Sequence, residues 1–145
     1  MSVGRICVRD VDLADSNESV WQAAERMHQR TVGTLVVVND ANEPIGMLTD
    51  RDLVERIIAQ QKDPNTTNVG QAMTHDPKTI PEESSIESAL SLMRTDEIRR
   101  LPVVDREGKL VGLLSLDDVL MLLAEEFTEI GRLLEGQTPS AAAQV

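Results

Sequence analysis

Apolar residues first recur at helical spacing and then gather in short continuous runs, and this order occurs twice along the chain. The helical spacing is carried by Val20, Ala23, Ala24 and Met27, and again by Ile86, Ala89, Leu90 and Met93. Each set predicts an amphipathic helix. The runs that follow, residues 34–38 and 101–104, are rich in β-branched side chains and predict buried strands.

Shorter segments complete each unit. A short β-prone piece precedes each helix, at residues 11–14 and 78–80. After the first strand, a polar turn leads to a second strand, at residues 45–48 and 110–114, and then to another helix. Pro81 suits a helix start. Pro102 has no backbone N–H, which predicts an edge or strand-start position for its strand. The predicted unit is therefore β-α-β-β-α.

The two units are related by a constant offset of 66 residues, the difference between Gly46 and Gly112. At this offset the segment GMLTDRD of residues 46–52 is echoed by GLLSLDD of residues 112–118. One unit of about 50 residues would bury too little apolar area alone. We therefore predict an α+β fold in which two β-α-β-β-α repeats pack about a pseudo-two-fold axis.

The predicted boundaries follow from this repeat. They are repeat one at about 6–58, a linker at about 59–70, repeat two at about 71–124, a C-terminal helix extension to about 136 and a flexible tail at 137–145. The extension carries apolar residues at helical spacing, among them Leu123, Phe127, Ile130 and Leu133. Two interpretations stay open for this stripe: it packs on its own core, or it contacts another subunit.

Composition narrows the class of protein. A length of 145 residues predicts one domain with one core, and this core must be aliphatic because Trp21 and Phe127 are the only aromatic residues. The net charge of −11 opposes nonspecific binding to nucleic acid or anionic lipid, so an anionic ligand would need a local basic pocket. Cys7 is the single cysteine, and no apolar run is long enough to cross a bilayer. We expect a cytoplasmic protein.

Candidate chemistry lies where the second strand of each unit meets its helix. Thr49 and Asp52, like Ser115 and Asp118, have the three-residue spacing of a helix capping box. The same geometry offers a helix N-terminus to a phosphate and a carboxylate to two ribose hydroxyls. The preceding glycine, Gly46 or Gly112, predicts close approach of a ligand to the backbone.

At this motif the chain resembles the cystathionine-beta-synthase (CBS) domain family, whose nucleotide motif runs Gly, apolar, any residue, Thr or Ser, two residues, Asp. Both copies match, and the resemblance covers about residues 6–124, including the segments MTHDP at 73–77 and RLPVVD at 100–105. It implies a module with two clefts that hold adenosyl ligands, such as AMP, ADP, ATP, adenosylmethionine or NAD-like molecules.

The resemblance also implies roles for individual residues. Thr49 and Ser115 would contact phosphate or ribose, and Asp52 and Asp118 would hold the ribose hydroxyls. Arg99 and Arg100 would contact the phosphates of the ligand held by the other repeat, whereas Gly33 and Thr34 stand at the equivalent positions of the first unit. Two further residues complete the predicted ligand-contacting set: Arg51, as an additional phosphate contact, and Ile80.

Other chemistry receives little support from the sequence. His28 and His75 are too far apart in the pattern to predict a metal site, and no nucleophile is paired with a base. We therefore expect a non-enzymatic regulatory module, without a required cofactor, that forms a homodimer and signals a bound adenosyl ligand to a separate effector protein. The alternatives are a ligand-free dimeric interaction or stress-response protein with vestigial motifs, and an enzyme that turns over nucleotides.

Overall fold

The structure is a computed structural model that describes residues 1–137. The helices are α1 (Val3–Ile6), α2 (Val20–Arg30), α3 (Asp50–Leu53), α4 (Val69–Ala72), α5 (Ile86–Asp96) and α6 (Leu116–Gln137), and a π-helical turn (Val54–Ile58) continues α3. The strands are β1 (Leu13–Ala14), β2 (Thr34–Val38), β3 (Pro44–Thr49), β4 (Thr74–His75), β5 (Ile80–Pro81), β6 (Arg100–Val104) and β7 (Leu110–Ser115). Most of the predicted flexible tail lies outside the described residues.

Two sheets repeat one topology. In the first, β1 is parallel to β2 and β2 is antiparallel to β3; in the second, β5, β6 and β7 are related in the same way. The register keeps the offset of 66, because Val37 pairs with Gly46 and Val103 pairs with Gly112. The prediction of an α+β fold with two β-α-β-β-α repeats is confirmed.

Each sheet is completed by the segment that precedes the other repeat. Strand β4, which leads into the second repeat, is antiparallel to β3 of the first. Val8, which leads into the first repeat, forms an antiparallel bridge with Leu113 of the second. The short helices α1 and α4 lie in these leading segments, and neither was predicted. This exchange ties the two repeats together, because neither buries its apolar side chains without the other.

The buried apolar residues form two clusters, one in each repeat. Leu35 and Leu48 are fully buried in the first, and Leu101 and Leu114 in the second. The expectation of one core is therefore wrong, since each sheet with its helices encloses its own cluster. The expected aliphatic packing is confirmed, and both aromatic residues are exposed.

Pro102 corrects a prediction and explains a difference between the repeats. Strand β6 lies between β5 and β7, so it is not an edge strand. It tolerates proline because β5 pairs only with residues 103 and 104. In the first repeat, Val36 N–H donates to the Asp12 carbonyl oxygen over 3.0 Å. Pro102 has no N–H to donate to the carbonyl of Lys78, the residue equivalent to Asp12.

Helix α6 is much longer than its counterpart in the first repeat. It continues to Gln137, close to the predicted end at about 136, and only Val119 among its residues is buried. Leu120, Leu123, Phe127 and Ile130 are all between 46% and 71% exposed. These residues therefore do not pack on the chain's own core, and contact with another subunit is the interpretation that stays open. Within residues 1–137, no helix is both long and apolar enough to cross a membrane.

Candidate functional site

Two clefts lie at equivalent places in the two repeats. The first is a cavity of about 430 Å³ lined by Thr49 and Asp52 from the first repeat and by Lys78, Arg99 and Arg100 from the second. The second, of about 240 Å³, is lined by Ser115 and Asp118 from the second repeat and by Gly33 and Thr34 from the first. The structure thus brings together the motif of one repeat and the strand end of the other.

The motif residues form the expected helix caps. Asp52 Oδ2 accepts from Thr49 N–H over 2.9 Å, and Thr49 Oγ1 accepts from Asp52 N–H over 3.1 Å. The same pair of bonds joins Ser115 and Asp118, at 2.8 and 3.2 Å. Each cap uses one carboxylate oxygen, Oδ2, and leaves Oδ1 outside the cap. Capping and ligand binding are therefore compatible in both clefts.

Arg56 lies behind the first motif and was missed by the sequence reasoning. It belongs to the π-helical turn, and its Nη2 is 3.5 Å from Asp52 Oδ1. The same guanidinium donates to the Ala72 carbonyl oxygen over 2.7 Å and to Thr74 Oγ1 over 3.2 Å. Asp52 and Thr74 both line the first cleft. Arg56 therefore fixes two residues of the cleft wall without lining the cleft itself.

Three cationic side chains line the first cleft. Within residues 1–137, none of Lys78, Arg99 and Arg100 makes a side-chain hydrogen bond or an ion pair. Lys78 was not predicted as a site residue. The signal that could have found it is the offset of 66, at which Lys78 is equivalent to Asp12, so that the two repeats carry opposite charges at this position. Asp52, Asp76 and Asp96 line the same cavity. Because the three cations form no ion pair with them, these cations are available to an anionic ligand in a chain of net charge −11.

The second cleft has different electrostatics. Asp10 and Asp12 line it together with Asp118, and Arg30 pairs with the first two over 3.1 and 2.7 Å. Hydrogen bonding to Asp12, followed by the charge of Asp12 and the contact with Asp10, raises the pKa of Arg30 above its usual value. This cleft also contains Thr34, which is 8% exposed and whose Oγ1 has no hydrogen-bond partner in the described part of the chain.

The two motif glycines have a packing role. A Cβ on Gly46 would lie 2.3 Å from Met73 Sδ, and one on Gly112 would lie 2.6 Å from Cys7 Sγ. Met73 and Cys7 are themselves equivalent at the offset of 66. The space above each glycine is thus filled by the leading segment of the exchanged repeat, which corrects the expectation that a ligand approaches there.

Two predicted site residues lie outside both clefts. Arg51 has an 82% exposed side chain and pairs with Glu55 over 2.7 Å at the helix surface. Ile80 is 4% exposed and belongs to the apolar cluster of the second repeat. Neither lines a cavity next to the motifs, so the structure does not bring these two residues together with the rest of the predicted site.

The sequence matches one family model and several known proteins. A family model described as CBS domain matches residues 3–59 and again residues 69–125. An uncharacterized protein of Methanopyrus kandleri is 36% identical over 84% of this chain, and the match spans 62% of that relative's length. Hypoxic response protein 1 of Mycobacterium tuberculosis is 32% identical over 86% of this chain and 82% of its own length.

Solved structures show the same architecture. The CBS domain pair of protein MJ0100, in complex with 5′-methylthioadenosine and S-adenosyl-L-methionine, superposes with a TM-score of 0.77. The match covers 87% of this chain and 98% of that one, at 24% identity. At this level of identity the likeness is one of fold.

Proposed function

The chain belongs to the CBS-domain family, as a pair of CBS repeats, and on this basis we propose that it is a regulatory module whose first cleft binds a phosphorylated adenosyl ligand. One observation carries the proposal: Lys78, Arg99 and Arg100, all without partners among the described residues, line the same cavity as the carboxylate of Asp52. A cavity with cations and a hydrogen-bond-accepting carboxylate matches a ligand that carries both phosphate and vicinal hydroxyls.

The chemistry of a nucleotide fits the parts of this cleft. Arginine and lysine bind phosphate by charge-assisted hydrogen bonds, and a carboxylate accepts from two ribose hydroxyls at once. The Lys78 carbonyl lacks the strand hydrogen bond that Pro102 cannot donate, and it would accept from an exocyclic amino group such as that of adenine. The adenosyl ligands held by protein MJ0100 support the choice of an adenosine core.

Substitution of Asp52 by alanine tests the ribose role. A carboxylate that holds two ribose hydroxyls contributes on the order of 2 kcal/mol, roughly thirtyfold in affinity, whereas loss of a capping acid costs no more than about 1 kcal/mol of stability. Titration calorimetry with AMP should therefore show a loss of affinity in Asp52→Ala that exceeds the loss of stability.

A matched control is available on the same helical turn. Asp50→Ala also removes a first-turn carboxylate of α3, but Asp50 does not line the cleft. It should leave AMP affinity unchanged. Equal AMP affinity in Asp52→Ala and the parent protein would mean that Asp52 is a helix cap only, and the proposed ribose role would be abandoned.

The signalling output we propose is a change of contact with another protein. No part of the described chain covers the exposed apolar residues of α6, so this helix is the proposed site of homodimer formation and of contact with a separate effector. The same surface favours a second candidate function, a ligand-free interaction or stress-response protein, and the name of the relative hypoxic response protein 1 is compatible with it. That function predicts an unchanged melting temperature when adenosine nucleotides are added.

A further inference from the structure

The two clefts differ in charge at equivalent positions. At the offset of 66, Lys78 of the first cleft corresponds to Asp12 of the second, so a cation is replaced by an anion. Arg99 corresponds to Gly33, which carries no charge. Arg100 corresponds to Thr34 in the same way. The backbone arrangement is thus repeated without a cation at any of the three equivalent positions, and Arg100 is the one of the three that also reaches the second cleft.

Carboxylates dominate the wall of the second cleft. Asp10, Asp12, Asp117 and Asp118 line it, whereas Arg100, which also lines the first cleft, is its only cationic lining residue in the described part of the chain. One guanidinium, that of Arg30, is shared between Asp10 and Asp12. Asp117 makes no ion pair within residues 1–137. These carboxylates are not grouped so as to hold a metal ion.

A buried hydroxyl in the same cleft has no partner. Thr34 is 8% exposed, and its Oγ1 is the one buried side-chain polar atom of residues 1–137 without a hydrogen bond. Buried hydroxyls are normally paired, and an unpaired one requires an explanation. Because Thr34 lines the cavity, a bound ligand that brings a donor would satisfy it. This orphan hydroxyl is independent of the carboxylates and points to a ligand at the same place.

We propose that the second cleft selects an adenosyl ligand with a positively charged group on its 5′ side and excludes phosphorylated ones. The inference rests on the proposed function, because it assumes that the Asp118 carboxylate holds a ribose as Asp52 does. An ammonium or other cation on the ligand is attracted by the carboxylates of Asp12 and Asp117, and an N–H group of the ligand donates to Thr34 Oγ1. Arg99 and Arg100 also line a small neighbouring cavity with Ser115 and Asp117. Within the second cleft itself, however, a phosphate would meet four carboxylates and a single cation, Arg100.

Cleft-resolved titration with three probes tests this inference. The probes are adenosine, AMP and 5′-amino-5′-deoxyadenosine, whose amine is protonated at neutral pH. Amide resonances of Gly33 and Ser115 report the second cleft, and those of Thr49 and Thr74 report the first. We expect the amine to bind the second cleft at least tenfold more tightly than AMP, with the order reversed in the first cleft. Raised salt should reduce both preferences.

Two substitutions identify the groups responsible. Asp117→Asn should lower the affinity of the second cleft for the amine severalfold, while Glu125→Gln, which neutralises an exposed acid of the same helix outside both clefts, should not. Thr34→Val keeps the shape of the side chain and removes the orphan hydroxyl. It should weaken amine binding without lowering the melting temperature, since no hydrogen bond of the free protein is lost.

The outcomes separate this inference from the function on which it rests. AMP binding in the first cleft together with equal or tighter AMP binding in the second would overturn the charge selection and leave the proposed function standing. Absence of any shift at either cleft with all three probes would overturn both. If amine affinity is unchanged in both Asp117→Asn and Thr34→Val, neither side chain contributes to amine binding, and the inference is overturned.

Discussion

Asp52 and Asp118 occupy equivalent motif positions but have different neighbours behind them. Arg56 lies 3.5 Å from Asp52 Oδ1 and also holds Thr74 of the same cleft wall. The residue equivalent to Arg56 in the second repeat is Leu122, which has no charge. Only the first carboxylate is therefore held in place by a cation, and Arg56 is a positioning residue for the first cleft.

Replacing Arg56 by leucine, the residue of the second repeat, should weaken AMP binding at the first cleft about three- to tenfold, since the Asp52 carboxylate loses its orienting partner. The diagnostic readout is the preference for AMP over 2′-deoxy-AMP, measured by calorimetry. If Arg56 acts through Asp52, this preference shrinks in Arg56→Leu. The control Arg51→Leu removes an exposed arginine of the same segment and should leave the preference intact. Equal weakening of both nucleotides would indicate a purely structural role.

An ion pair outside the clefts makes the stability of the first repeat depend on pH. Arg26 Nη1 and Nη2 donate to the two carboxylate oxygens of Glu18 over 2.6 and 2.7 Å. The hydrogen bond from Arg26 holds the pKa of Glu18 below its ordinary value. A lowered folded-state pKa stabilises the protein above the ordinary glutamate pKa, and this contribution is lost as the pH falls through the folded-state value.

Substitution Glu18→Gln should therefore lower the free energy of unfolding by about 1 kcal/mol at pH 7. The difference from the parent should shrink as the pH falls through the folded-state pKa of Glu18 and disappear at low pH, where Glu18 is protonated in both states. Urea unfolding at both pH values measures it. As a control, Glu125→Gln alters an exposed acid that makes no ion pair within the described residues and should have little effect at either pH. A difference that persists unchanged at low pH would contradict the assignment to the ion pair.

At the scale of elements, α6 exposes more large apolar residues than any other helix of residues 1–137. Leu116, Leu120, Leu123, Phe127 and Ile130 follow one another at alternating spacings of four and three residues, the pattern typical of helices that pair in a coiled coil. Four of them are about half exposed or more. A second copy of the same helix would bury a matching stripe, which supports the proposed closed dimer.

Introducing a charge into this stripe tests the proposed dimer. The parent protein should have twice its monomer mass by light scattering at micromolar and higher concentrations. Phe127→Glu should give the monomer mass with little change in folding, because the side chain is 71% exposed within one chain and the added charge would be desolvated only in the interface. Thr128→Glu adds the same charge one residue away from the stripe and should stay dimeric. A monomeric parent protein would refute the proposal.

At the scale of the whole molecule, the two clefts share one architecture but differ in charge. Three cations, Lys78, Arg99 and Arg100, balance three carboxylates in the first cleft, whereas the second cleft has four carboxylates and one cation. Because the repeats exchange their leading segments, residues from both halves build each cleft. Occupation of either cleft would therefore act on contacts between the repeats, which is the property a regulatory module needs.

The first cleft should fill before the second when AMP is limiting. Charge-assisted contacts from arginine to phosphate contribute about 1.5 to 3 kcal/mol each, so the two affinities should differ tenfold or more. The advantage should shrink with adenosine or at high salt. Crystals soaked at limiting AMP should show density beside Thr49 and Asp52. Density only beside Ser115 and Asp118, or unchanged AMP affinity in Arg100→Ala, would show that the arginines have another role.

Local patterns were sufficient to predict the elements and the motif. The spacing of apolar residues predicted α2, α5 and the central strands, because periodicity reflects which side of an element is buried. The offset of 66 predicted the repeated topology, and the spacing of Thr49 and Asp52 predicted a helix cap that the structure confirms. The family resemblance correctly placed Arg99 and Arg100 beside the motif of the other repeat.

Contacts between distant segments were decided only by the tertiary structure. The sequence alone determined the repeat, its elements and its candidate motif, because these depend on residues a few positions apart. It did not determine the exchange of α1 and α4, the burial of Ile80 or the partnership of Arg56 with Asp52 and Thr74. Those features arise when two sheets pack against each other's leading segments, and packing joins side chains that no local spacing relates.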